Sequence, residues 1–160
     1  EHGCVVSYTH GGGRIGVIVE ADTDVVNDAI KECLTNVAMQ VAALSPKYVA
    51  VADVPEEYKE HEKQILIAQA QNDPKNANKP ANIIEKMITG RLAKELKEVC
   101  LLEQAYVKDG DLTVARYVEQ VGKENGANLS IKSFVRFETG EGIEKKVDDF
   151  AAEVAAQAGL

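Results

Sequence analysis

Apolar and polar side chains alternate on both sides of a glycine-rich segment near the start of the chain. The alternation covers residues 5–10 (VVSYTH) and residues 15–20 (IGVIVE), and Gly11–Gly13 lie between them. A period of two with β-branched and aromatic residues is typical of strands, and glycines supply the positive φ angles of a tight reversal. The pattern predicts a β-hairpin, which is marginal alone and must bury one face.

A helical pattern follows the predicted hairpin. From Thr23 to Leu44, apolar residues recur at steps of three and four and form one apolar stripe. Its members are Val26, Ile30, Cys33, Val37, Val41 and Leu44. Thr23 or Asp24 is expected to cap the start of the helix, and Ser45-Pro46 is expected to end it. We expect this helix to cover the hairpin.

Two further helices are predicted in the middle of the chain, at residues 55–72 and 80–100. Each carries a narrow apolar stripe with charged residues elsewhere, and a polar breaker segment at residues 72–78 separates them. The pattern favours an antiparallel helical hairpin, a coiled coil that projects from the core as an arm. The alternative is two surface helices that lie flat on the sheet.

The last third of the chain predicts a short helix at residues 112–122, a strand at residues 128–138 and a final helix at residues 145–157. Apolar residues occupy one face of the strand at Leu129, Ile131, Val135 and Phe137. Phe134 breaks the alternation and falls on the polar face, so we expect another element to cover it.

Together these elements predict an α+β fold, in which a three-stranded antiparallel sheet is covered by helices and the helical hairpin is inserted. We divide the chain into a first part of a core subdomain (residues 1–52) and the helical arm (residues 53–100). The second part of the core subdomain (residues 101–140) and a C-terminal helical module (residues 141–160) follow.

Composition narrows the classes of partner. The chain has 160 residues, a formal net charge of −8 and three widely spaced cysteines. An acidic chain is a poor ligand for nucleic acid, which requires clustered Lys and Arg. No apolar run approaches the roughly 18–20 residues of a membrane span. The cysteine spacing matches neither zinc nor redox motifs, so we expect reduced thiols and a cytoplasmic protein.

Candidate chemistry is scarce. Gly11–Gly13 lack the phosphate-loop pattern and lie inside a hairpin, so we interpret them as turn glycines. The three histidines, His2, His10 and His61, have no partner at ligand spacing, which argues against a metal site. No pair of nucleophile and base is recognisable. The chain is therefore interpreted as a binding module that is not an enzyme and that needs no cofactor.

Four segments resemble bacterial elongation factor Ts: SYTHGGGRIGVIVE, NVAMQVAALSPKYV, NIIEKMITGRLAKELKEVCLLEQAYVKD and FVRFETGEGIEKKVDDFAAEVAAQ. The resemblance spans essentially all 160 residues, and GEGIEKK followed by DFAAEVA is specific to that family. It implies binding to elongation factor Tu and promotion of the exchange of GDP for GTP. The family begins with a small helical domain that is absent from this sequence, so we expect weak exchange.

The resemblance also implies partner-binding residues. His10, Gly12 and Arg14 form the predicted hairpin tip, which faces the third domain of elongation factor Tu in the family. The resemblance assigns a second group of contacts to the last helix, at Phe150, Ala151 and Val154. The alternatives are a plain surface turn for the tip and packing on the chain's own core for Phe150.

The segment Thr23-Asp24-Val25-Val26 resembles the family's TDFV motif, which disturbs the magnesium and phosphate site of the bound nucleotide. Val25 stands where the motif has phenylalanine, and the spacing from GVIVE is two residues shorter than in the family. Asp24 and Val25 are therefore candidate exchange residues. The alternative, which we favour, is that the segment is simply a helix N-terminus.

A second hypothesis assigns a structural role to the predicted arm. A two-helix arm with apolar stripes can associate with a second copy, so the chain is alternatively a dimerisation module. In that case the partner is a homodimer formed through residues 53–100. The two hypotheses are compatible with each other.

Overall fold

The computed structural model describes residues 2–143, and within them four α-helices and five strands form an α+β fold. The strands are β1 (Gly3–His10), β2 (Ile15–Thr23), β3 (Ala105–Tyr106), β4 (Asp109–Thr113) and β5 (Leu129–Glu138). The helices are α1 (Asp28–Leu44), α2 (Glu56–Asn72), α3 (Ala81–Val99) and α4 (Val114–Glu124). The predicted helix at residues 145–157 lies outside the described residues.

The predicted hairpin is confirmed, and it forms two strands of a three-stranded sheet. Strands β1, β2 and β5 are antiparallel and lie in the order β1-β2-β5, while β3 and β4 form a separate two-stranded sheet. Gly11, Gly12 and Gly13 have φ angles of 61°, 69° and 89°. These are left-handed values that favour glycine, so the sequence of three glycines permits the reversal.

Helix α1 packs against one face of this sheet and forms the core with it. The side chains of Val17 and Val19 from β2 and of Leu34, Val37 and Val41 from α1 are almost completely buried. Burying a Val or Leu side chain contributes about 1.5–3 kcal/mol each, so this contact makes a large contribution to the stability of the fold. On the other face of the sheet, four large apolar side chains are exposed among the described residues: Val5, Ile18, Val135 and Phe137.

The start of α1 differs from the prediction. Thr23 is the last residue of β2, where it pairs with Leu129, and α1 begins at Asp28. The cap is Asn27, whose side chain accepts a hydrogen bond from the backbone N–H of Ile30. The prediction that Thr23 or Asp24 caps the helix was therefore wrong. Val26, placed on the helix stripe by its spacing, precedes the helix and is half exposed.

Strand β5 contains one extra residue, and the side chains after it point to the opposite face of the sheet from the one predicted. Glu20 pairs with Ser133 and Ala21 pairs with Ile131, so Lys132 has no partner in β2 and forms a β-bulge. Because side chains alternate with a period of two, one extra residue moves all later residues to the opposite face. Phe134 consequently packs against the core.

The predicted faces of β5 were therefore wrong after the bulge. Val135 and Phe137 were placed with the apolar face but are 48% and 54% exposed. Phe134 lies on the core side because of the bulge, and its half-buried ring packs against the main core, which confirms the expectation that another element covers it.

The β3–β4 hairpin is fixed to α1 by one buried polar side chain. Gln40 is fully buried, and its Nε2 donates hydrogen bonds to Ala105 O at 3.0 Å and to Gln104 Oε1 at 3.3 Å. Its Oε1 accepts from the backbone N–H of Val107 at 2.9 Å. The sequence pattern does not predict this small sheet or the role of Gln40 in it.

Helices α2 and α3 occupy the predicted positions and contact each other. Their contact is a small apolar cluster separate from the main core, formed by Leu66, Ala70 and Ile88 with Ile67, Ile84 and Leu92 at its edge. The segment that contains both helices begins and ends at neighbouring positions. The backbone N–H of Tyr48 donates to Val99 O, and that of Leu101 donates to Tyr48 O.

The three cysteines are buried and unpaired. Cys4, Cys33 and Cys100 are 8%, 1% and 0% exposed, and none forms a disulfide. Burial raises the pKa of the Cys33 thiol to about 11. The first two belong to the main core around the sheet and α1.

Candidate partner-binding site

The predicted tip residues lie at the β1–β2 turn, on the surface. His10 is the last residue of β1 and pairs with Ile15, and Gly12 and Arg14 lie in the exposed turn between them. No side chain or backbone atom lies within 4 Å of the position where a Cβ of Gly12 would stand. Arg14 is exposed and makes no ion pair within residues 2–143.

The loop after β5 holds this turn in place. The backbone N–H of Thr139 donates a hydrogen bond to Arg14 O at 2.8 Å. The Thr139 hydroxyl lies 3.2 Å from Arg14 O and 3.5 Å from Gly13 O. A turn of three glycines has little intrinsic rigidity. Because these bonds already restrict the turn, it loses less conformational entropy when a partner binds. Sequence reasoning missed Thr139, because it is 125 residues away from Arg14 along the chain.

Behind the turn, two rows of polar, aromatic and aliphatic side chains cross one face of the sheet. His10, Ile15 and Glu138 form one row across the three strands. Tyr8, Val17 and Arg136 form the next. In the described part of the chain, the Nε of Arg136 is buried without a hydrogen-bond partner, while its Nη1 donates to Glu138 at 3.0 Å.

Asp24 and Val25 lie at the other end of β2. The strand has nine residues between the two groups, which at 3.3 Å per residue separates them by roughly 30 Å. The structure therefore does not bring Asp24 together with His10 and Arg14. A single partner would have to contact both ends of the sheet to use both groups.

The Asp24 carboxylate connects the segment after β2 to the start of β5. It accepts hydrogen bonds from the backbone N–H of Asn128 at 2.8 Å and from its side-chain amide at 2.7 Å. These two bonds hold the pKa of Asp24 below its ordinary value of 3.8. Thr23 completes the turn, because its hydroxyl donates to Val25 O at 2.7 Å. The role of Asp24 in the fold is thus a brace and not a helix cap.

An open cleft of about 560 Å³ adjoins this brace, and Asp22, Asp24, Glu119, Lys123 and Asn128 are among its lining residues. Residues 2–143 contain no group of three His, Cys, Asp or Glu side chains arranged to hold a metal ion. No helix in the same part of the chain is long and apolar enough to cross a membrane. Phe150, Ala151 and Val154 lie outside the described residues.

Comparison with known proteins identifies the family. The family model described as "Elongation factor TS" matches residues 1–141. Elongation factor Ts of Clostridioides difficile strain 630 is 51% identical over 98% of this chain and 50% of its own length. That of Carboxydothermus hydrogenoformans is 52% identical over 96% of this chain and 71% of its own length.

Elongation factor Ts of Clostridium perfringens strain 13 is 49% identical over 99% of this chain and 51% of its own length. The chain thus spans about half the length of several of the curated relatives it matches. The matched region contains both β1–β2 with its glycine turn and the Asp24 brace. The chain belongs to the elongation factor Ts family.

Proposed function

We propose that this chain binds elongation factor Tu and promotes the exchange of GDP for GTP on it. The observation that carries the proposal is the β1–β2 turn, which presents His10 and Arg14 on a surface held by Thr139. The turn lies within the region that matches the family. Phe150, Ala151 and Val154 remain predicted contacts of the same kind, inferred from the resemblance.

The proposed activity requires binding and no bond-making residue. A protein that binds the nucleotide-free form of a GTPase more tightly than the loaded form weakens nucleotide binding by the same factor. We therefore assign no catalytic residue, metal or cofactor to the chain, and we propose that it acts in the cytoplasm as a translation factor.

We propose that the isolated chain binds elongation factor Tu but increases the rate of GDP release only weakly. The Asp24 carboxylate is already engaged by two hydrogen bonds to Asn128, so using it on a partner would break the brace. Val25 also supplies less apolar surface than a phenylalanine would. Contact alone does not release a nucleotide, because coupling needs a contact that differs between the loaded and empty states.

Stopped-flow release of a fluorescent GDP analogue from elongation factor Tu, with excess chain, tests this proposal. We expect binding of the nucleotide-free factor, slow release, and loss of binding in the double variant His10→Ala/Arg14→Ala. Fast release that collapses in Asp24→Ala would instead make Asp24 the working residue. Absence of binding by the unmodified chain would overturn the proposal as a whole. Arg116→Ala, at an exposed position of α4, is the matched control for loss of a positive charge.

Dimerisation through α2 and α3 is a second candidate function. Two features support it: the paired backbone at Tyr48 and Val99, between which α2 and α3 both lie, and the exposed Ile65 and Ile83 on those helices. Sedimentation of the chain beside Ile65→Lys/Ile83→Lys tests it. A monomer at high micromolar concentration in both samples would refute dimerisation through this arm.

A further inference from the structure

The side chain of Tyr8 joins the core of the protein to the exposed His10. Both residues lie on β1 two positions apart, so they share one face of the sheet. The Tyr8 ring packs against the main core, whereas His10 is exposed. The Tyr8 hydroxyl oxygen is 3.0 Å from His10 Nδ1, and the two ring centroids are 6.0 Å apart at an angle of 39°.

We propose that Tyr8 is a positioning residue that sets the tautomer of His10 for partner binding. A phenolic hydroxyl is a better donor than acceptor, because its lone pairs are delocalised into the ring. When it donates to Nδ1 of a neutral imidazole, the proton of the ring must lie on Nε2. Nδ1 is then occupied within the chain, and Nε2–H is the group that His10 offers to a partner.

The tip as a whole then presents donors. Nε2–H of His10 and the guanidinium of Arg14 both lack acceptors in the described part of the chain. The matching surface on a partner carries acceptors, either backbone carbonyls or carboxylates. An imidazole of the other tautomer would offer an acceptor there and leave such groups unpaired, which is costly at a desolvated interface. This inference rests on the proposed function for its partner, but the tautomer itself is a property of the free chain.

The first test measures the tautomer by long-range ¹H–¹⁵N correlation spectra of the full chain, under conditions where imidazole is neutral. The His10 signals are assigned by their loss in His10→Ala. We expect the Nε2–H form to dominate in the unmodified chain and the Nδ1–H population to rise in Tyr8→Phe, which keeps the ring and removes the hydroxyl. Tyr58→Phe, on α2, is the control and should change nothing. A dominant Nδ1–H form, or a tautomer ratio unaffected by Tyr8→Phe, overturns the proposal.

The second test is a double-mutant cycle for binding to nucleotide-free elongation factor Tu. Tyr8→Phe should weaken binding about two- to tenfold, the range expected for one hydrogen bond, and should have no effect in the His10→Ala background. Equal weakening in both backgrounds would mean that Tyr8 does not act through His10 and would refute the inference. If the unmodified chain does not bind at all, the proposed function fails, and the spectra alone decide the role of Tyr8.

Discussion

Replacing Gln40 by methionine tests how the β3–β4 hairpin is fixed to α1. Methionine has a similar volume and helix propensity, so the change removes polar atoms without opening a large cavity. It leaves Ala105 O and the Val107 N–H without their partners, and it removes the longer 3.3 Å bond to Gln104.

A polar group that loses its partner costs about 1–3 kcal/mol, and the lower end applies here because Ala105 and Val107 are exposed residues whose bonds to Gln40 are part-buried. Two well-formed bonds and one weak one give an expected loss of about 2–3 kcal/mol in the free energy of unfolding. Domains of this size have a total stability of about 5–15 kcal/mol, and 1 kcal/mol corresponds to about 2–4 °C. We therefore expect the melting temperature of Gln40→Met to fall by about 4–12 °C.

Urea denaturation gives the loss of stability, and native-state hydrogen exchange at the Val107 amide shows where it occurs. Gln64→Met is the matched control, because Gln64 is exposed on α2 and only bonds Glu60 one turn away. If Gln40→Met and Gln64→Met lose the same stability, or if the Val107 amide keeps its protection, the buried hydrogen bonds do not hold the hairpin.

Three further predictions concern separate parts of the chain. Gly12→Val should cost about 1–3 kcal/mol through backbone strain alone, because φ is 69° and a Cβ there meets nothing; an unchanged melting temperature would refute this. The hydrogen bonds from Asn128 lower the pKa of Asp24, so the ionised carboxylate stabilises the fold. This stabilisation is complete above about pH 4 and disappears as the pH falls further. Asp24→Asn should flatten that acid limb in urea titrations, whereas an unaltered slope would contradict the brace. Leu92→Asp places a charge at the edge of the α2–α3 cluster. It should speed amide hydrogen exchange in α2 and α3 only. A loss of protection in the sheet would be inconsistent with a separate cluster.

Local signals in the sequence were sufficient for elements whose interactions are close along the chain. The glycine turn, the end of α1 at Ser45 and the positions of α2 and α3 depend on backbone preferences within a few residues. The three-stranded antiparallel sheet followed from the alternation in β1, β2 and β5.

Features that depend on distant partners could not be read from the sequence. The bulge at Lys132 exists because β5 pairs with β2, and the period-two pattern alone gives no sign of an unpaired residue. Thr23 was predicted to cap the helix because threonine is common at that position, but it pairs with Leu129 and is part of strand β2. At the candidate site, the predicted turn located His10, Gly12 and Arg14 on the surface and the family resemblance made them predicted contacts, whereas Thr139 and Asn128 act across more than a hundred residues.

The burial of all three thiols has a practical consequence for studying the exchange reaction. Cys4, Cys33 and Cys100 are shielded, and the Cys33 thiolate is disfavoured further by its raised pKa, so maleimide reagents should react with them only when the fold opens. A cysteine introduced at the exposed Thr9, close to the turn, would therefore be labelled selectively in the native chain. A fluorophore placed there could report partner binding in real time, and slow labelling of the native thiols would report unfolding in the same sample.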